Sequence, residues 1–198
     1  MISVYNIKPR FQEVLTPVLK MLHNCKVSAN QITIASIGLS VVIGILFWNA
    51  SLTPWLYLAL PVGLLIRMAL NALDGMMARR YNQQSKLGEV LNEIGDVISD
   101  VFIFLPLIKY QPNALYLVVL FIVLAIINEL AGVLTKIISG TRRYDGPMGK
   151  SDRALILGIY GVLAFLCVDI SHLLPYVFVV IIGLLILSTI TRLKKSLA

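Results

Sequence analysis

Between Asn71 and Asp100 the chain reads NALDGMMARRYNQQSKLGEVLNEIGDVISD, which holds half of its ten carboxylates between two apolar runs. A charge near the middle of a bilayer costs about 2.5 kcal/mol or more, so carboxylates kept there normally serve a purpose. Asn71, Asp74, Asn92 and Asp96 offer oxygen donors with no histidine or thiolate among them. Oxygen ligands of this kind suit a hard cation such as Mg²⁺ or Mn²⁺.

Helical spacing brings these groups together. At ~100° per residue, Asn71, Asp74 and Ala78 share a face with Gly75 beside them. On the next helix Gly88, Asn92, Asp96 and Asp100 form an i, i+4 stripe, with Glu89 and Glu93 on its shoulder. Gly75, Ala78 and Gly88 lack bulk, so a helix or a ligand can come close. With boundaries near Arg80 and Lys86 and a rise of ~1.5 Å per residue, Asp74 and Asn92 lie about 9 Å deep. Asn71 and Asp96 lie about 14 Å deep, and Arg67 and Asp100 about 20 Å. The polar groups thus match by depth across two antiparallel helices. For Arg67 and Asp100 this predicts a structural salt bridge, shared with Glu129 of a later span.

The elements that must position them are membrane helices. The chain has 198 residues, 58% of them apolar, which indicates one integral membrane domain of all-α class. Spans are predicted at roughly 30–50, 54–80, 86–108, 112–139, 152–169 and 173–192, most near the ~20 residues that cross a bilayer. Asp169 truncates the fifth. Residues 8–24 place Phe11, Val14, Leu15, Val18 and Leu22 at helical spacing, as in an amphipathic interfacial helix. No cleavable signal precedes the first span.

Of the 17 Lys and Arg residues, 15 fall in the N-terminal tail, the 2–3 and 4–5 loops and the C-terminus. Lys109 stands alone on the other side, and Arg67 is buried in a span. The positive-inside rule then puts both termini in the cytoplasm. A net charge of +7 is explained by anionic lipid at that face, without nucleic acid. Cys25 and Cys167 fall on opposite sides, which argues against a disulfide.

At the central residues the sequence resembles the CDP-alcohol phosphatidyltransferases, which carry D-x2-D-G-x2-A-R-x8-G-x3-D-x3-D. Here the spacing reads Asn71, Asp74, Gly75, Ala78, Arg79, Gly88, Asn92, Asp96. Weaker likeness extends to Asn30-Gln31-Ile32-Thr33 before the first span and to Gly149-Lys150-Ser151-Asp152-Arg153 before the fifth. The resemblance implies a metal-dependent enzyme of phospholipid biosynthesis in a bacterial inner membrane. It would transfer a phosphatidyl group from CDP-diacylglycerol or a similar CDP-lipid to an alcohol and release CMP. It implies that Asn71, Asp74, Asn92 and Asp96 ligate one or two Mg²⁺ or Mn²⁺ ions and that Asp96 is the base. Asp74, Gly75, Ala78, Arg79 and Gly88 would hold nucleotide and phosphate, and Lys150 and Arg153 would receive an anionic acceptor. A homodimer is also implied.

Asparagine replaces the family's first and third aspartates, so the motif's charge falls from −4 to −2. An amide oxygen can ligate a hard cation but does not neutralise it. One metal, or a relative that binds CDP-lipid without turnover, is therefore an alternative expectation. A transporter is a further one, since buried charge can line a path. Against it, the charges cluster in the cytoplasmic half, and no inverted repeat is visible.

Overall fold

The computed structural model describes residues 8–197, which form helices joined by short turns, with no strand among them. The helices are α1 (Lys8–Asn24), α2 (Ala29–Trp48), α3 (Ala59–Arg80), α4 (Lys86–Phe104), α5 (Leu107–Tyr110), α6 (Leu115–Ser139), α7 (Lys150–Phe165) and α8 (Leu174–Leu197). Short 3-10 turns, Pro54–Leu58 and Pro112–Ala114, lead into α3 and α6.

Local chemistry sets these boundaries. Ser28 caps α2: its hydroxyl accepts from Gln31 N at 3.3 Å, while Gln31 Oε1 accepts from Ser28 N at 2.8 Å. Ser85 caps α4 by accepting from Gly88 N at 3.0 Å. Gly140 ends α6 at φ 73°, a left-handed conformation that glycine adopts without steric cost.

Four segments are long and apolar enough to cross a membrane: α2, Pro54–Arg80, Pro112–Ser139 and α8. The other two expected spans correspond to α4 and α7, and both are shorter than read from sequence. α4 stops at Phe104, two residues before Pro106, and its continuation is the separate α5. α7 has 16 residues, about 24 Å of helix, and ends where Cys167 takes φ 57°. Conversely, α8 runs on to Leu197. Large apolar side chains such as Ile34, Val62, Leu65, Ile137 and Val180 point outward, as a lipid-facing surface requires.

α2 is the central support. It packs along both α3 and α4, α3 packs on α7, and α6 pairs with α8 and touches α4. Glycines permit these approaches: a Cβ on Gly44 would run into the backbone carbonyl of Phe102, and one on Gly63 would lie 2.6 Å from Ile43 Cγ1. One apolar cluster, including Ile43, Phe47, Leu60, Ile103, Phe121, Phe178 and Leu185, joins these helices. A second cluster of Leu19, Ala29, Ile32, Leu73 and Met77 fastens α1 to α2 and α3. The His23 ring stacks on Tyr81 at 3.5 Å beside it.

Candidate active site

α3 and α4 each pack along α2 rather than closely against one another, and a cavity of about 540 Å³ opens between their facing ends. Ala29, Asn30 and Thr33 of α2 form its back, with Asp74, Gly75 and Ala78 on one wall and Gly88, Glu89 and Asn92 on the other. Residues Gln83 to Lys86, mostly the turn between the helices, close one end. That turn is pinned to α2, since Gln83 Oε1 accepts from Ala29 N at 2.8 Å. Gly88 makes the fit possible, because a Cβ there would sit 2.6 Å from Asn30 Oδ1. Arg79 folds its guanidinium back over Gly75, 3.2 Å from where a Cβ would stand.

Hydroxyls of α2 orient the wall. Thr33 Oγ1 donates to Asp74 Oδ2 at 3.0 Å, and Ser36 Oγ donates to Asn71 Oδ1 at 2.6 Å. The i, i+3 spacing of Thr33 and Ser36 matches that of Asn71 and Asp74, so two polar pairs line up where α2 meets α3. Neither hydroxyl was picked out from sequence as an orienting group. The available signal is three small hydroxyl residues, Thr33, Ser36 and Ser40, in a mainly apolar span.

Below the cavity lies an ionic layer. Lys150 Nζ hydrogen-bonds to Asp96 Oδ1, and Arg67 lies 4.0 Å from the same oxygen. Arg67 also faces Asp100 at 3.1 Å, so the expected pair is present. Glu129 joins it through Arg153, whose guanidinium nitrogen donates to Asp100 at 2.7 Å and to Glu129 at 2.8 Å. Arg142 adds a second link, to Glu93 at 2.5 Å and to Glu129 at 2.8 Å.

Arg153 is 2% exposed and divides its charge between two carboxylates at the helix interface. Asn71, Asp96 and Lys150 also stand behind the lining of the cavity rather than on it. In the loop at that flank, Arg142 lies over the Tyr144 ring at 5.1 Å. Burial raises the pKa of the Tyr144 phenol. The hydrogen bond from Lys195 holds the Asp145 carboxyl below its usual range.

The donor set tests what cation fits. Among the described residues, no three His, Cys, Asp or Glu side chains converge as metal ligands. The Asp74 carboxylate and the Asn92 amide face the cleft together with Glu89, which pairs with Lys136, and Asn71 and Asp96 stand off the lining. Carboxylate and amide oxygens carrying two negative charges fit one hard divalent ion.

A family model, CDP-alcohol phosphatidyltransferase, matches residues 26–191, from just before α2 to near the end of α8. The chain belongs to the CDP-alcohol phosphatidyltransferase family. It is therefore an enzyme of the class that transfers substituted phosphate groups from CDP-linked alcohols in phospholipid synthesis. Relatives agree. The inner membrane protein YnbA of Escherichia coli is 49% identical over 160 residues, 81% of this chain and 79% of its own. A phosphatidylinositol phosphate synthase of Corynebacterium glutamicum is 32% identical over 52% of this chain and 45% of its own. The fold matches Mycobacterium tuberculosis phosphatidylinositol phosphate synthase (PgsA1) with CDP-DAG bound, at TM-score 0.76 and 21% identity, covering 93% and 94% of the two chains. The same synthase in complex with manganese and citrate superposes at TM-score 0.75 and 21% identity, covering 92% and 88%. Four segments of this transferase are long and apolar enough to cross a membrane, and the Escherichia coli relative is named an inner membrane protein. Within this chain, the CDP-alcohol phosphatidyltransferase motif provides both walls of the cavity, and its last aspartate underlies them.

Proposed function

We propose that this transferase moves a phosphatidyl group from a CDP-linked diacylglycerol to an alcohol, releasing CMP. One observation carries the reading: Asp74, Gly75, Ala78, Gly88 and Asn92 line a single cavity, with Asp96 next below it. The PgsA1 structure with CDP-DAG supports a CDP-lipid as donor, and the one with manganese supports a divalent ion.

In this reading Gly75, Ala78 and Gly88 admit the nucleotide, and Arg79 meets its phosphate. Asn71, Asp74, Asn92 and Asp96 would hold Mg²⁺ or Mn²⁺, which supplies positive charge to the phosphoryl oxygens. Asp96 accepts the proton of the acceptor hydroxyl. The acceptor oxygen then bonds to the lipid-side phosphorus as the bond to the CMP oxygen breaks. Thr33 and Lys150 keep the two carboxylates oriented. Six membrane crossings put the termini and the cleft at the cytoplasmic face, where lipid and soluble alcohol meet. Two copies assemble as a homodimer.

The asparagines at 71 and 92 favour one second reading, binding of CDP-lipid without turnover. The experiment that decides is CMP release from proteoliposomes containing CDP-diacylglycerol, Mn²⁺ or Mg²⁺ and a panel of alcohols. Turnover that vanishes with EDTA and in Asp96→Asn supports the enzyme. CDP-lipid binding with no CMP from any acceptor replaces it with the second reading.

A further inference from the structure

The ammonium of Lys150 sits on the motif's last aspartate. Lys150 is the first residue of α7, whose start is fixed by Asp152 Oδ2 accepting from Gly149 N at 2.9 Å. From there it hydrogen-bonds to Asp96 Oδ1, with the lysine side chain 24% and the aspartate 14% exposed. Arg67 approaches the same oxygen but has its own counter-charge in Asp100 at 3.1 Å. Asn71, meanwhile, has its amide oxygen engaged by Ser36 at 2.6 Å.

We propose that the cleft binds one metal per chain, with the Lys150 ammonium as a second, built-in positive charge on the motif's last aspartate. Charge makes the case. Asp74, Asp96 and Lys150 together carry −1, and one divalent ion brings the group to +1, suited to the negative diphosphate of a CDP-lipid. A second ion would bring it to +3, and the remaining carboxylate on the cavity wall, Glu89, is already paired with Lys136. Aspartates at 71 and 92 would add two negative charges, and two ions would then give the same +1.

This inference rests on the transferase reading for its purpose, but its test does not need turnover. Mn²⁺ alone is titrated into the full chain in nanodiscs, and free Mn²⁺ is followed by electron paramagnetic resonance. The wild type is expected to bind one ion per chain and Asn71→Asp/Asn92→Asp two. Lys150→Met should still bind one, about tenfold more tightly, because a neighbouring positive charge is gone. Lys150→Gln serves if the methionine variant does not remain monodisperse. Binding of no ion or two ions by the wild type overturns the proposal, as does an affinity unchanged within about twofold in both lysine variants. One bound ion without CMP release from any acceptor would defeat the transferase reading and leave this assignment standing.

Discussion

Arg153 holds Asp100 at 2.7 Å through a guanidinium nitrogen that also serves Glu129, and in doing so ties α7 to α4 and α6 below the cavity. Removing one partner of a buried pair strands the others, which costs about 3–5 kcal/mol. Arg153→Met is therefore expected to lower the thermal unfolding midpoint strongly in detergent. Arg153→Met/Asp100→Asn/Glu129→Gln, which removes the stranded charges as well, should recover a large part of that loss.

The two motif carboxylates should behave differently from this structural layer. Asp74→Asn and Asp96→Asn are expected to cut CMP release by about a hundredfold or more, in keeping with loss of a metal ligand or a base. The Asp74→Asn midpoint should stay near wild type, and that of Asp96→Asn, which leaves Lys150 without its partner, should fall less than in Arg153→Met. A midpoint that falls as far as in Arg153→Met would show that these aspartates hold the bundle and not the substrate.

Packing under the site can be tested at Gly44. A methyl group there meets the backbone carbonyl of Phe102, which cannot rotate away. Gly44→Ala should cost about 1–3 kcal/mol of stability, as overpacking usually does. Because α2 supports both walls, CDP-lipid affinity should fall with it. A variant as stable as the parent would mean that α2 and α4 can slide apart freely.

Outside the bilayer, Lys195 bonds to Asp145 Oδ1 at 2.5 Å and lowers the pKa of its carboxyl. A group with a depressed folded pKa stabilises fully above its unfolded value, near 4, and loses that contribution as pH falls through the folded value. Hydrogen exchange in the loop of residues 140–149 should therefore rise only below about pH 4 in the wild type. In Asp145→Asn it should already be raised at neutral pH. Equal exchange in the two proteins at neutral pH would assign the loop's order to Arg192 and Ser188, which bond to the Asp145 carbonyl.

The two cysteines report orientation. Both are free and exposed, Cys25 between α1 and α2 and Cys167 just after α7. An impermeant maleimide added to intact cells should label Cys167 and reach Cys25 only after the inner membrane is opened. The reverse pattern would invert the assigned topology.

Much of this site was legible because helix periodicity and depth are both local quantities. Asp74 and Asn92 could be set at one level, and Arg67 with Asp100 at another, before any contact was known. Partners across a third helix were harder. Nothing in the spacing of Thr33 and Ser36 says which carboxylate or amide they will meet, because that depends on the rotation of α2 against α3. The course of the loop between α6 and α7 was hidden for another reason. It is set by left-handed residues, Gly140 at 73°, Gly146 at 97° and Met148 at 61°, and it delivers Arg142 to Glu93 and Glu129. A basic residue near a boundary, such as Arg153, reads as surface from sequence, whereas here two acids draw it inward.

Both walls of the cleft pack along α2, so any shift of that one helix is felt by Asp74 and Asn92 alike. α2 itself carries no charged residue. An uncharged strut thereby fixes the gap across which the two polar walls face each other.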